Sequence, residues 1–303
     1  MRYNEFTYPS SDGIHAIQAY EYLPDGEIKA VIQVAHGISE HFGRYKELWE
    51  YMTSRGVAVC GNDHLGHGRT VKREEYGFFA DKDGWQRVCD DVASLYKIEK
   101  EKYKNAKYCL LGHSMGSFVA RTVFMKNMID ADAFIFSGTG EQTGMTVKSG
   151  KLVAKIVRKT KKSKYDSDGL IKKLAFGSYN KTFEKRTECD WISSDPKEVD
   201  RYMSDPMCNS PISVGLFIDM LDGLDYIRKQ KNYASCRKTS PVLLVSGLSD
   251  PVGSMGKGVD KVYDAMVKAG VNVKKNMYEG RHELFHEPVR DKVLGDIYDW
   301  LSV

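Results

Sequence analysis

Residues 108–117 read YCLLGHSMGS, and this stretch decides the fold. An apolar strand candidate, Tyr108–Leu111, ends in a G-x-S-x-G sequence whose serine is Ser114, and a helix-like run follows. A serine on a strained turn between a strand and a helix holds its Oγ clear of the sheet. The flanking glycines, Gly112 and Gly116, remove side chains that would collide in so tight a turn. This context predicts that Ser114 is a nucleophile, whereas G-x-S-x-G alone is also compatible with a glycine-rich turn and an incidental serine.

Strand and helix patterns alternate on both sides of this stretch. An opening hairpin is predicted at residues 6–8 and 14–22, and further strands are predicted at 30–35, 57–61, 133–136, 241–246 and 271–278. Helices are predicted at 40–55, 84–104, 257–269 and 291–301. Strands that alternate with helices form parallel sheets covered on both faces. The sequence therefore predicts an α/β fold with a mostly parallel sheet of eight strands flanked by helices.

The alternation breaks between residues 141 and 236. We predict that residues 1–140 and 237–303 form the core and that residues 141–236 form an inserted helical cap. The insertion lies between two strands at the carboxyl edge of the sheet, where such sheets bind ligands. Its apolar and aromatic side chains suit a hydrophobic pocket, and the candidates for substrate contact are Phe176, Met203, Phe217 and Met220. The alternative is a small insertion with its own core.

The start of this insertion is basic. Residues 148–164 hold eight basic residues and no acidic one, and Leu152, Val153, Ile156 and Val157 fall on one helical face. This pattern predicts an amphipathic basic helix. It permits peripheral contact between the cap and an anionic membrane, or simply a solvated basic face.

A serine nucleophile needs a base, and the base needs a carboxylate that orients it. His282 lies in a polar loop just after the last strand, and the chain order Ser, acid, His is the order that this topology requires. His286 is the second candidate for the base. Asp250 follows the preceding strand and is the predicted acid, unless it only caps its own backbone turn. His113 is expected to point away from the nucleophile and is a candidate for substrate contact.

Two backbone amides are candidates for an oxyanion hole. The N–H group of Met115, directly after the serine, points toward a developing oxyanion. The second donor is predicted to be the N–H group of Ile38, because Gly37 lets the backbone turn after a buried strand. An ordinary strand-to-helix turn is the alternative.

Composition excludes several classes of function. The net charge of +4 is too small to indicate nucleic acid binding, and the six cysteines contain no C-x-x-C pair. We expect reduced cysteines, no metal site and no cofactor. The histidines near Asp63 resemble metal ligands, but their glycine-rich loop favours side chains that satisfy buried backbone groups. No signal peptide and no apolar run long enough to span a membrane is evident, so we expect a cytoplasmic protein, peripheral at the membrane if the basic helix binds there.

The chain resembles the α/β-hydrolases of the monoacylglycerol lipase and lysophospholipase group, which are grouped with the serine aminopeptidase-like hydrolases. The matching pieces are His36-Gly37, Glu40-His41, Arg44-Tyr45, 63–68, 112–116, Asp250 and His282. The resemblance implies a triad of Ser114, His282 and Asp250, an oxyanion hole from Ile38 and Met115, and a helical cap over an acyl pocket. It also implies hydrolysis of carboxylic esters without a cofactor.

The sequence thus predicts a serine esterase for monoacylglycerol-like or lysophospholipid-like esters. An aminopeptidase is one alternative, but it needs a carboxylate that binds the substrate ammonium group, and the cap offers Glu184, Glu188 and Asp190. A binding module without activity is another alternative. Epoxide and haloalkane hydrolases are disfavoured because those relatives carry aspartate where Ser114 stands.

Overall fold

A computed structural model describes residues 1–301, which contain one sheet of eight strands. Strands β1 and β2 form the opening hairpin, in which Tyr8 lies opposite Ile17. Strands β3 to β8 are parallel to one another, and β2 runs antiparallel to both β1 and β4. The spatial order is β1-β2-β4-β3-β5-β6-β7-β8. The strand bounds are Arg2–Pro9, Ala16–Leu23, Ala30–Ala35, Val57–Asn62, Lys107–His113, Ala133–Ser137, Val242–Gly247 and Val273–Tyr278. The predicted α/β fold with a mostly parallel eight-stranded sheet is confirmed.

Helices cover both faces of this sheet. Within β3, Val31 packs toward one hydrophobic core and Ile32 toward the other, as the two-residue period of a strand requires. The helices α2, α3 and α9 cover the first face, and α1 and α10 cover the second. Their bounds are Lys46–Thr53 for α1, Gly84–Lys102 for α2, Met115–Met125 for α3, Lys257–Lys268 for α9 and Arg290–Leu301 for α10.

The helix predicted at residues 40–55 begins later than expected, at Lys46. The preceding residues form a short 3₁₀ helix, Phe42–Arg44, which His41 caps by accepting a hydrogen bond from the N–H group of Gly43. The N–H group of Phe42 donates to Asp63 Oδ1 over 2.9 Å. These bonds hold the segment before α1 as a loop at the carboxyl edge of the sheet, so helical periodicity alone placed the helix start too early.

Five α-helices and a short 3₁₀ helix, Asp190–Ile192, lie between β6 and β7, in the segment predicted to be a cap. Helix α7 packs on α2 and α3, and the α-carbon of Gly223 lies so close to the Trp85 ring that a Cβ would collide with it. Helix α4 packs on α7 and ends at Arg158, so the basic segment beyond that residue lies outside the helix. The bounds are Gly144–Arg158 for α4, Gly169–Phe176 for α5, Pro196–Ser204 for α6, Val214–Ile227 for α7 and Gln230–Ala234 for α8. Among residues 1–301, no helix has the length and apolar character needed to cross a membrane.

Candidate active site

Ser114 occupies a strained turn between β5 and α3. Its backbone dihedral angles are φ 53° and ψ −121°, a region that residues with a Cβ rarely adopt. A Cβ on Gly112 would collide with the carbonyl oxygen of Gly116, and a Cβ on Gly116 would collide with that of Ala35. The two glycines therefore permit the tight turn, as the sequence predicted, and the Ser114 side chain lines a cavity.

The structure brings His282 and Asp250 together at the carboxyl edge of the sheet. His282 Nδ1 lies 2.9 Å from Asp250 Oδ1, and both side chains are buried. Asp250 Oδ1 also accepts a hydrogen bond from the N–H group of Val252 over 2.8 Å. Asp250 thus both closes its own turn and binds the imidazole, so the two roles considered for this residue coexist.

The second ring nitrogen of His282, Nε2, is available to act as a base. Nε2 is buried and has no hydrogen-bond partner among residues 1–301, and the ring lines the same cavity as Ser114. With Nδ1 donating to Asp250, Nε2 carries the lone pair of a neutral imidazole. Burial disfavours the imidazolium, but the charge and hydrogen bond of Asp250, together with the charges of two nearby glutamates, raise the pKa of His282 above its ordinary value. Such a ring can accept a proton from a hydroxyl group in the cavity.

His286, the other candidate for the base, has different surroundings. Its ring is buried, does not line the cavity and lies 3.6 Å from Glu198 through Nδ1. Burial and the nearby Arg44 charge lower the pKa of His286 to about 3. The geometry therefore favours His282.

The loop after β3 brings Gly37 next to Ser114 and places Ile38 in the lining of the same cavity. A Cβ built on Gly37 would lie 3.2 Å from Ser114 Cβ, and Ile38 lines the cavity. The N–H group of Gly37 is already occupied, because it donates to Glu40 Oε1 over 2.5 Å. The N–H group of Ile38 donates to no other residue within 1–301. Met115 is the first residue of α3, so its N–H group has no acceptor within the helix.

A buried network of ion pairs connects the loop after β3 to the loop that carries His282. The sequence analysis did not identify this network. Arg44 donates to both carboxylate oxygens of Glu283, over 2.6 Å and 2.7 Å, and to Glu40 Oε2 over 3.0 Å. Glu40 Oε1 also accepts a hydrogen bond from the Tyr45 hydroxyl over 2.9 Å. Although burial opposes ionisation, the Arg44 charge holds the pKa of Glu283 below its usual range. The motif residues Glu40, Arg44 and Tyr45 were the available signal, but nothing in the sequence linked them to Glu283.

The histidine-rich loop after β4 is held by hydrogen bonds within the loop and by one to His36, which follows β3. His36 Nε2 accepts from the N–H group of His64 over 3.0 Å, and His67 Nδ1 lies 2.9 Å from the Leu65 carbonyl oxygen. Burial, reinforced by neighbouring histidine charges, holds the pKa values of His36 and His64 well below their ordinary value. The side chains of this loop satisfy buried backbone groups, as the sequence indicated.

One cavity of about 700 Å³ connects Ser114 and His282 to the insertion. His113 and Phe176 line it, whereas three other predicted contacts, Met203, Phe217 and Met220, do not. Phe217 is buried in the hydrophobic core and Met220 packs against it, because their helix α7 packs on α2 and α3. Met203, which lies on α6, also packs against that core. The inner lining is instead completed by Trp191, one of the aromatic side chains of the insertion predicted to suit a pocket, and by three residues that the sequence analysis did not select: Ile192, Tyr202 and Ile212.

Trp191 marks the direct contact between the insertion and the His282 loop. Its ring centroid lies 5.1 Å from that of His282, and the neighbouring Ile192 carbonyl oxygen accepts from the N–H group of Glu283 over 2.7 Å. Arg281 also donates to the Asp190 carbonyl oxygen over 2.6 Å. These contacts fix the cavity wall relative to the imidazole.

Comparisons with known proteins agree with this architecture. Monoglyceride lipase of Rattus norvegicus is 27% identical over 303 residues, covering 97% of this chain and 88% of the relative. Monoacylglycerol lipase of Mycolicibacterium smegmatis is 28% identical over 284 residues, covering 92% and 90%. The crystal structure of a thermostable carboxyl esterase from Bacillus coagulans superimposes with a TM-score of 0.92 at 27% identity, covering 100% of this chain and 98% of the esterase.

Residues 26–289 match the family described as serine aminopeptidase, S33. The match includes β3 to β8, the strained Ser114 turn, the insertion, Asp250 and His282. The chain therefore belongs to this family of α/β-hydrolases.

Proposed function

We propose that this protein is a serine carboxylic ester hydrolase that acts on lipid esters such as monoacylglycerols or lysophospholipids. The observation that carries the proposal is the arrangement of Ser114 and His282 around one cavity, with Asp250 bound to the far nitrogen of the imidazole. The names of the rat and mycobacterial relatives support a lipid substrate.

The proposed reaction uses catalytic groups of this chain and one water molecule. His282 Nε2 removes the hydroxyl proton as Ser114 Oγ attacks the ester carbonyl carbon. The N–H groups of Ile38 and Met115 donate to the oxyanion of the tetrahedral intermediate. The intermediate collapses, and the alcohol leaves with the proton from His282. Water then attacks the acyl-enzyme with His282 again as the base, which releases the carboxylic acid and restores Ser114.

The cavity favours an ester with an apolar acyl chain over a peptide with a free ammonium group. Its inner wall carries Ile38, Trp191 and Ile212, which suit an acyl chain. The carboxylates considered for binding an ammonium group are already occupied. Glu184 accepts from Arg281, Glu188 from Lys172, and Asp190 from the N–H group and hydroxyl of Thr187.

The surface of α4 supports peripheral contact with an anionic membrane. Met145, Leu152 and Ile156 are 82%, 62% and 59% exposed, so an apolar stripe of this helix faces solvent. Exposed lysines, including Lys155 and Lys159, lie on the same helix and at its end. Apolar side chains flanked by basic ones suit the interface of a bilayer with anionic lipids.

Purified protein tests the proposal directly. We expect it to hydrolyse p-nitrophenyl butyrate and a medium-chain monoacylglycerol, and not leucine p-nitroanilide, a substrate for aminopeptidases. Cleavage of the anilide without cleavage of either ester would instead support the peptidase. Absence of all three activities in folded protein would support a binding module.

A further inference from the structure

The outer part of the cavity lining differs in charge from the inner part. Its exposed residues come from the insertion, and the charged ones are Lys172, Lys173, Lys181, Lys185 and Glu188. The half-buried Asp168 lies on the same wall. We call the three lysines Lys173, Lys181 and Lys185 the mouth lysines.

Every acidic group of the cavity lining has a basic partner. Asp168 lies 2.7 Å from Lys161, and Glu188 lies 2.8 Å from Lys172. Glu40 and Glu283 share Arg44 in the buried network. At the mouth, Asp168 and Glu188 are thus each neutralised by one lysine, and the buried Glu40 and Glu283 share a single cation.

The mouth lysines have no such compensation. Within residues 1–301, no carboxylate lies in ion-pair distance of Lys173, Lys181 or Lys185, and all three side chains are exposed. Like charges gathered at a cleft raise the local concentration of ligands of the opposite sign. A neutral ester would gain nothing from this charge.

We propose that the mouth lysines select ester substrates that carry an anionic group several bonds from the ester carbonyl. This inference rests on the proposed ester hydrolysis and narrows its substrate class. The carbonyl lies at Ser114 in the buried part of the cavity, so a group remote from it reaches the exposed mouth. The anion is a phosphate on the alcohol part or a carboxylate at the far end of the acyl part.

Two pairs of short, water-soluble esters test the proposal without a lipid surface. The first pair is 1-butyrylglycerol and 1-butyrylglycerol 3-phosphate, whose phosphate carries about −1.5 to −2 charges at pH 7. The second pair is glycerol monohexanoate and the glycerol monoester of hexanedioic acid. We expect kcat/KM to be roughly ten-fold higher for the anionic member of at least one pair at 0.1 M NaCl. The preference should disappear at 1 M NaCl, where the screening length falls from about 10 Å to about 3 Å.

The triple variant K173E/K181E/K185E should reverse this preference, measured as the ratio of kcat/KM between the two members of each pair. The control K97E/K268E/K274E makes the same change of net charge at exposed lysines outside the cavity and should keep the preference. Equal kcat/KM for both members of both pairs, or a preference that survives in the mouth variant, would overturn the proposal while neutral ester hydrolysis still supports the enzyme. If no ester is hydrolysed, the proposed function fails and this inference fails with it.

Discussion

Arg44 and Glu283 face each other in a bidentate ion pair, with bonds of 2.6 Å and 2.7 Å, inside the protein. Arg44 lies at the end of the loop that carries Ile38, and Glu283 directly follows His282. The pair therefore connects the two loops that would supply the oxyanion donor and the base. Glu40 extends the connection, because it binds both Arg44 and the N–H group of Gly37.

Removal of Arg44 should destabilise the fold. Arg44→Met leaves two buried carboxylates without a counter-charge, which costs about 3–5 kcal/mol in comparable buried pairs. The midpoint of guanidinium unfolding should be lower in Arg44→Met than in the wild type. The midpoint of Arg44→Lys should lie between those two values, because lysine keeps the charge but cannot form the bidentate pair. Arg69→Met is the matched control, since Arg69 pairs with Glu5 at an exposed site. An Arg44→Met midpoint no lower than that of Arg69→Met would contradict the structural role.

Replacement of the nucleophile should abolish turnover without unfolding the protein. We expect Ser114→Ala to lower kcat by about 10³- to 10⁶-fold, because the residues of a triad act as a unit. A fluorophosphonate probe should label the wild type and not the variant. Ser117, the next serine along the chain, is bound to the Ser114 carbonyl oxygen, so Ser117→Ala serves as a control that keeps labelling. Labelling of Ser114→Ala would show that another residue is the nucleophile.

The His282–Asp250 pair should behave as one unit with Ser114. His282→Ala should be about as inactive as Ser114→Ala, and the double variant should be no worse. Asp250→Asn should lower kcat by up to about 10⁴-fold, because an amide favours the wrong tautomer of the imidazole. The measurement is the single-turnover rate with p-nitrophenyl butyrate for the three single variants and the double variant. If His286→Ala is inactive and His282→Ala is active, the base has been misassigned.

The pH dependence of kcat/KM should report the raised pKa of His282. The base must be neutral, so activity should fall as the pH drops through a pKa above the ordinary histidine value. Asp250→Asn removes the charge that raises this pKa, so the acid limb of its residual activity should move to lower pH. A limb at the same pH in both proteins would mean that another group controls it.

The apolar stripe of α4 should mediate binding to anionic vesicles. M145S/L152S/I156S should weaken sedimentation with phosphatidylglycerol vesicles, while hydrolysis of a soluble ester stays nearly unchanged. Adding K155E/K159E to this variant should weaken vesicle binding further, by roughly five-fold per lysine at low salt. The control I14S/L248S/V267S alters three exposed apolar residues that lie outside the insertion. Equal sedimentation with neutral and anionic vesicles would favour a merely solvated basic helix.

The sequence by itself determined the fold and nominated Ser114, Asp250 and His282. Alternating strand and helix patterns determine the layers of an α/β sheet, and parallel strands bring the residues that follow them to one edge. The glycines around Ser114 lie within two residues of it in the chain, so the sequence alone predicted the tight turn. The fold prediction succeeded because it depends on local backbone geometry and on chain order, and the roles of the three nominated residues rest on the same two properties.

Only the tertiary structure decided which side chains face the cavity. Helical periodicity marks the faces of a helix but not its neighbours, so Phe217 turned out to lie in the core and Leu152 in solvent. Arg44 and Glu283 are separated by 239 positions, and their pairing arises only when two loops meet at the sheet edge. The net charge at the mouth of the cavity likewise depends on which lysines form ion pairs with carboxylates. The packing of the whole insertion determines these pairs.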